Sequence, residues 1–275
     1  METNKKYGVV ILIIFELLAI RYDKYFSSSD EIVMISLLTI LLLSHGMYIQ
    51  RHSTYISYSG AEYSVGNSKD EGGVNRGFGN PSTAHSHSGK FSLLVGYGND
   101  GFNYKLTPQK VDLSKSYRAS VWVYVPGEAE NQDNLNQVKL FFSENGQQIK
   151  SVNPVLQKSK SKSWYLLNLD ITPEGSKEVF IGVHNGTSRG IYLDDFRVHP
   201  INASLSTYVY DNSSGELNFI LDANNFYTRF EYDAMGRLLR TSKELLNYDF
   251  GDGKESYKAD AILKETKYNY AKPIN

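Results

Sequence analysis

A chain of 275 residues is long enough for one or two domains. Its 29 basic and 30 acidic residues nearly cancel and are scattered along the chain, so the electrostatic footprint of a nucleic-acid binder is missing. The absence of cysteine excludes a disulfide framework, a thiolate nucleophile and a cysteine-ligated metal.

Tyrosine is the compositional outlier at 21 copies, beside 13 phenylalanines and 22 glycines. That mixture favours pleated, half-buried surfaces joined by tight turns, and it predicts a mainly β body.

The first fifty residues differ in kind. Val9 to Ile20 is apolar except for Glu16, and Ile32 to Ile49 contains no acid, lysine or arginine. Only the second run approaches the roughly 20 residues of a spanning helix. Lys5 and Lys6 have the place of a signal-peptide start, but Glu16 and the lack of a small-residue cleavage site oppose that reading. Residues 1–55 are therefore predicted as an N-terminal hydrophobic helical segment that anchors to a membrane through residues 8–49. The alternative is a pair of buried helices.

Residues 60–200 read as an antiparallel jelly-roll sandwich, because short apolar runs alternate with turn signals at nearly regular intervals. The predicted strands are Phe91 to Tyr97, Tyr117 to Val125, Gln137 to Ser143, Ser163 to Ile171, Lys177 to His184 and Gly190 to His199. Between them stand Gly98-Asn99-Asp100-Gly101, Pro126-Gly127, Asn145-Gly146, Pro173-Glu174-Gly175 and Asn185-Gly186.

Period-two alternation assigns the faces. Ala119, Val121, Val123 and Val125 share the predicted core side of one strand, with Leu140, Phe142, Leu167, Leu169, Ile181 and Val183 facing them from others. The opposite sides collect Arg118, Ser120, Trp122 and Tyr124, then Lys139, Phe141 and Ser143, then Phe180, Gly182 and His184. Such mixed faces suit sugars, since pyranose rings stack on aromatic rings while polar neighbours bond the hydroxyls. Trp122, Tyr124, Arg118, Phe141 and His184 are the candidate ligand-binding residues. The alternative is that Trp122 and Tyr124 are covered by a loop or a neighbouring domain.

Three motifs now carry a resemblance. Ser86-His87-Ser88-Gly89-Lys90-Phe91-Ser92-Leu93 resembles the "HSGKYSL" strand of galactose-binding-like carbohydrate-binding modules. Tyr117 to Val123 is similar to their "Y-x-x-S-x-W-V" strand, and Ile191 to Val198 to their closing "Y-x-D-D-V-x-V" strand. The resemblance implies the fold first and a glycan partner second, for many such domains are spacers. It also implies a structural calcium, with Asp195 matching the closing acidic position and Glu62 the upstream one. Calcium takes about six to eight oxygens, so backbone carbonyls would have to complete the shell.

Residues 205–275 have a rhythm of 22 residues. Tyr208-Val209-Tyr210-Asp211 leads to Gly215-Glu216-Leu217, and Phe230-Glu231-Tyr232-Asp233 leads to Gly236-Arg237-Leu238. Each unit reads as a β-hairpin that relies on its neighbours for burial. Tyr232-Asp233-Ala234-Met235-Gly236-Arg237-Leu238 resembles the "Y-D-x-x-G-R-L" signature of Rhs/YD repeats. The first copy departs from it, with an extra turn residue and a glutamate where arginine is usual. Tyr268-Asn269-Tyr270 has the form of a third start. The resemblance implies repeat-motif roles for Tyr210, Asp211, Gly215, Tyr232, Asp233, Gly236 and Arg237, and further repeats or an effector domain from the same locus as partners.

Catalytic patterns are weak. Asp194 and Asp195 are neighbours on a predicted strand, so their side chains are expected on opposite faces rather than across one cleft. His85 and His87 lack a third ligand nearby in sequence. Asp249-Phe250-Gly251 has no accompanying phosphate-binding loop. Lys158 to Lys162 reads as a solvated charge run. The expectation is a non-enzymatic structural and binding portion of a bacterial surface or secreted protein, located in the cell envelope or outside the cell. The alternative is an accessory module of a larger enzyme or toxin whose catalytic domain lies outside this chain.

Overall fold

A computed structural model describes residues 57–62, 73–107, 112–127, 132–157, 159–173, 178–211, 213–246 and 260–268. The apolar runs Val9 to Ile20 and Ile32 to Ile49, the Asp249-Phe250-Gly251 motif and Asn269-Tyr270 lie outside them. Among the described residues no helix is long and apolar enough to cross a membrane.

Strands are numbered here in chain order. The first sheet contains β1 (Ser57–Ser59), β2 (Asn80–Ser82), β3 (Ser92–Val95), β5 (Tyr117–Tyr124), β8 (Lys160–Ser161), β9 (Trp164–Ile171) and β11 (Ile191–Pro200), in the order β2-β3-β11-β5-β9-β8 with β1 added on β11. The second contains β4 (Asp100–Leu106), β6 (Val138–Glu144), β7 (Gln147–Val152) and β10 (Val179–Asn185), ordered β4-β10-β6-β7. Among the described residues two short helices, α1 (Gln132–Gln137) and α2 (Pro154–Gln157), sit in the connections. The two sheets enclose one core, and every strand pair is antiparallel.

The alternation reading holds residue by residue. Val121, Val123, Leu140, Leu167, Leu169, Ile181 and Val183 are wholly buried, and Phe142 is 4% exposed. Five strands escaped it, the short β1, β2 and β8 and the longer β4 and β7. Strand β4 follows a predicted turn, yet Phe102, Tyr104 and Leu106 alternate inward against Asn103 and Lys105. Strand β7 is a polar, largely exposed edge with no apolar alternation to betray it. Only its turn was visible: Asn145 and Gly146 both take positive φ, 51° and 80°, as a tight two-residue hairpin requires.

A third sheet runs as a meander of β12 (Thr207–Tyr210), β13 (Leu217–Leu221), β14 (Tyr227–Tyr232), β15 (Leu238–Lys243) and β16 (Ala261–Glu265). The 22-residue rhythm contains a shorter one, for Asp211, Asp222 and Asp233 each open a hairpin turn. The Asp233 carboxylate accepts the Met235 and Arg237 N–H groups, and its second oxygen holds the Arg237 guanidinium at 2.8 Å. Asp222 accepts Asn224 and Phe226 N–H, and Asp211 accepts Ser213 and Ser214 N–H. A residue of positive φ completes each turn: Gly215, Asn225 and Gly236.

Gly236→Ala should therefore cost about 1–2 kcal/mol, because its φ of 75° strains any residue bearing a Cβ. Urea unfolding of the full chain measures the loss. An unchanged midpoint would mean that the turn has an alternative geometry.

Candidate functional site

The candidate ligand residues fall on two separate surfaces. Arg118, Trp122 and Tyr124 lie on the outer face of the first sheet, whereas Phe141 and His184 lie on the outer face of the second. The sandwich core separates them, so these residues do not form one platform.

The first surface is covered by the third sheet, with which the sandwich forms one compact unit, Tyr55–Asn275. Trp122 is wholly buried, packed beside Trp164 and Leu166 with Phe226 and Leu246 against them. Its indole N–H donates to the Asn225 carbonyl at 2.8 Å. The Asp222–Asn225 turn is the plug: Asn225 also donates its side-chain amide to the Asp195 carbonyl, and Arg197 donates to the Asp222 carbonyl at 2.8 Å. Trp122 is thus not an exposed sugar platform, and the covered-face alternative describes it. Arg118 is engaged in a two-point ion pair with Asp170, at 2.7 and 2.9 Å. Tyr124 is half-buried beside Tyr192 and an exposed His85, with ring centroids 5.9 and 4.4 Å from its own.

The charge run also differs from its expected role. Lys162 donates to the Tyr227 hydroxyl and pairs with Asp260, tying the sandwich to the third sheet instead of standing free in water.

A buried polar node lies beneath this junction. Asp194 and Asp195 do not point to opposite faces: the β11–β5 register shifts between Asp194 and Arg197, and Asp195 takes a φ of 50°. Both carboxylates therefore meet the loop before β3. Asp194 accepts the His87 and Ser88 N–H groups, and Asp195 accepts the Tyr58 and Ser88 hydroxyls and His87 Nδ1. Burial pushes Asp194 well above the ordinary carboxylate range, with Asp195 and Glu62 adding to it. Burial likewise carries Glu62 up to about 7, against the Phe91 and Lys90 N–H groups that favour its charged form.

This donor set does not fit the calcium implied by Glu62 and Asp195. Glu62 accepts Lys90 and Phe91 N–H, and the Asp195 oxygens accept from two hydroxyls and a ring nitrogen, so hydrogen-bond donors face both carboxylates where calcium would need further oxygen ligands. Among the described residues no group of three or more His, Asp or Glu side chains is arranged to hold a metal ion.

The second surface is the outer face of β4-β10-β6-β7. Phe141 and Phe180 are half-buried neighbours with ring centroids 6.0 Å apart, and both lean over Gly182. A Cβ at Gly182 would meet both rings at 3.0 Å, so the glycine lets them lie down on the sheet. Cross-strand pairing surrounds them with polar side chains. Asn103 and Ser151 flank the Gly182–Phe141 pair, Lys105 and Ser143 flank Phe180, and Lys139 stands opposite His184. His184 Nδ1 lies 2.7 Å from the Asp100 carboxylate. Phe180 and Asn103 were not among the candidate residues. Period-two alternation already sets Phe180 on the face of Gly182 and His184, and it reaches Asn103 once β4 is recognised as a strand.

No protein-family model matches the sequence, and no curated protein matches it. Among solved structures, the chain is similar to the CBM22-1 xylan-binding domain of Paenibacillus barcinonensis Xyn10C, at 17% identity and a TM-score of 0.36, over 54% of this chain and 94% of that one. It is similar to the C-terminal family 22 carbohydrate-binding module of Clostridium thermocellum Xyn10B, at 18% identity and a TM-score of 0.36, over 56% and 97%. A third is TmCBM61, solved with β-1,4-galactotriose, at 15% identity and a TM-score of 0.29, over 53% and 88%. No residue role is carried across at these levels.

Proposed function

We propose that this chain is a non-catalytic, glycan-binding portion of a bacterial surface or secreted Rhs-type protein, and that the glycan lies on the second sheet against Phe141 and Phe180. The observation that carries the proposal is the open shelf of two phenylalanine rings over Gly182, ringed by Lys105, Asn103, Lys139 and Ser151. Apolar ring faces stack on pyranose C–H surfaces, and the surrounding amide, hydroxyl and ammonium groups bond the hydroxyls. The outer face of the first sheet is closed by the third sheet around Trp122, and this favours the second.

The three aspartate-led turns support reading β12–β15 as hairpins of the Rhs/YD type, with Tyr210, Asp211, Gly215, Tyr232, Asp233, Gly236 and Arg237 as the motif. A location in the cell envelope or outside the cell, with residues 8–49 as an anchor, belongs to the same proposal. So do further repeats or an effector domain as partners.

A glycan array probed with the full chain, followed by titration calorimetry, tests the shelf. Phe141→Ala and Phe180→Ala should each weaken binding about tenfold, the loss expected for one aromatic stacking partner. Absence of any glycan ligand, or both variants binding like the parent, would overturn the assignment.

A further inference from the structure

The junction between sandwich and third sheet collects acids from both layers. Asp194 and Asp195 come from β11, Glu62 follows β1, and Glu244 follows β15. Asp194, Asp195 and Glu244 are all under 5% exposed, in an environment where unpaired charges are costly. Arg197 is also buried in β11, but its guanidinium donates to the Asp222 and Ala223 carbonyls. Tyr58 of β1 donates its hydroxyl to Asp195, and Tyr227 of β14 donates its backbone N–H to Glu244 while its own hydroxyl is held by Lys162 and Asp260 on the far side.

His87 sits among them with both ring nitrogens engaged by carboxylates. Nδ1 lies 2.7 Å from Asp195 of the sandwich, and Nε2 lies 2.8 Å from Glu244 of the third sheet. A neutral imidazole offers one donor and one acceptor, so two ionised carboxylates require a proton on each nitrogen. The ring is stacked on Trp122 at 4.1 Å and 18°, an arrangement that also favours a cation. Trp164 and Tyr227 close its remaining sides, with centroids 5.8 and 5.2 Å away.

We propose that His87 is a built-in cation: its doubly protonated ring takes the place of a bound divalent ion between Asp195 and Glu244, and makes sandwich and third sheet one metal-independent unit. The bridge spans residues 108 and 157 positions away along the chain, so it couples layers that local sequence cannot couple. Burial opposes the charge, and Glu244 and Asp195 outweigh that opposition, holding the ring's pKa near 9.

The chain's two tryptophans both lie in this junction, so their fluorescence reports it directly. Thermal unfolding of the full chain should give the same Tm in EDTA and in millimolar calcium, since only a ligand that binds the folded state shifts Tm. His87→Gln should lower Tm by about 10 °C under both conditions, as loss of one member of a buried charge cluster predicts. A Tm raised by calcium, or a His87→Gln variant as stable as the parent, would overturn the proposal. If that variant does not fold, ring 15N shifts of the parent at neutral pH decide: two protonated nitrogens on His87 uphold the proposal, and a neutral ring overturns it.

Discussion

Trp122→Ala is expected to lower the unfolding free energy of the full chain by about 4 kcal/mol, the range for deleting a large buried aromatic side chain. Trp122 is wholly buried and contacts both layers, stacking on His87 and meeting Phe226 edge-on at 5.9 Å. Its removal also strips the Asn225 carbonyl of the indole donor at 2.8 Å, and a buried acceptor left unpaired adds to the cavity term. The loss should fall on a single cooperative transition, because sandwich and third sheet share the core that Trp122 fills. Urea unfolding followed by far-ultraviolet circular dichroism measures it. A cost under about 1 kcal/mol would place the indole in solvent and contradict the packing.

Raising the pH should destabilise the fold by a similar amount. The folded-state pKa of His87 is raised from 6.5 to about 9 by Glu244 and Asp195 against the opposing effect of burial. Below 6.5 the ring is charged whether the chain is folded or not, and its stabilisation is fully present. Between 6.5 and about 9 the unfolded chain gives up the proton that the folded chain keeps, so stability falls. Glu62 acts in the same direction earlier, between 4.5 and about 7, because burial favours its neutral form. His199 acts the opposite way but only below 6.5, since burial lowers its pKa. The net expectation between about pH 6 and 9.5 is a loss of ~3 kcal/mol, which urea titrations at several pH values read directly. Constant or rising stability across that window would show that His87 is not the protonated bridge.

The sequence made the sandwich readable because its central strands alternate strictly. Val121 and Val123 against Trp122 and Tyr124 placed the core without any structure. It could not show that a second layer would bury Trp122, because the covering residues, Asn225, Phe226 and Leu246, are about a hundred positions or more away and carry no local signature. The same distance hid the node. His87 has no partner nearby in sequence; the β11 register shift turns Asp195 towards it and the end of β15 brings Glu244. The aspartate-led turns were legible in part. Gly215 and Gly236 advertise positive φ, whereas Asn225 at 71° does the same work unannounced, since asparagine tolerates the left-handed region. The shelf was half visible: alternation set Phe141, Phe180 and His184 on mixed faces, but Asn103 needed the pairing of β10 with β4 to join them.

Glycan is expected to meet the second sheet and not the covered face of the first. Amide and indole chemical-shift mapping of the full chain, titrated with the strongest ligand from the glycan array, tests it most directly. Shifts are expected only at Lys139–Ser143, Phe180–His184 and Asn103–Lys105, with the Trp122 indole N–H unmoved because Asn225 holds it. Shifts at the Trp122 indole, with the Phe141 and Phe180 strands silent, would contradict it.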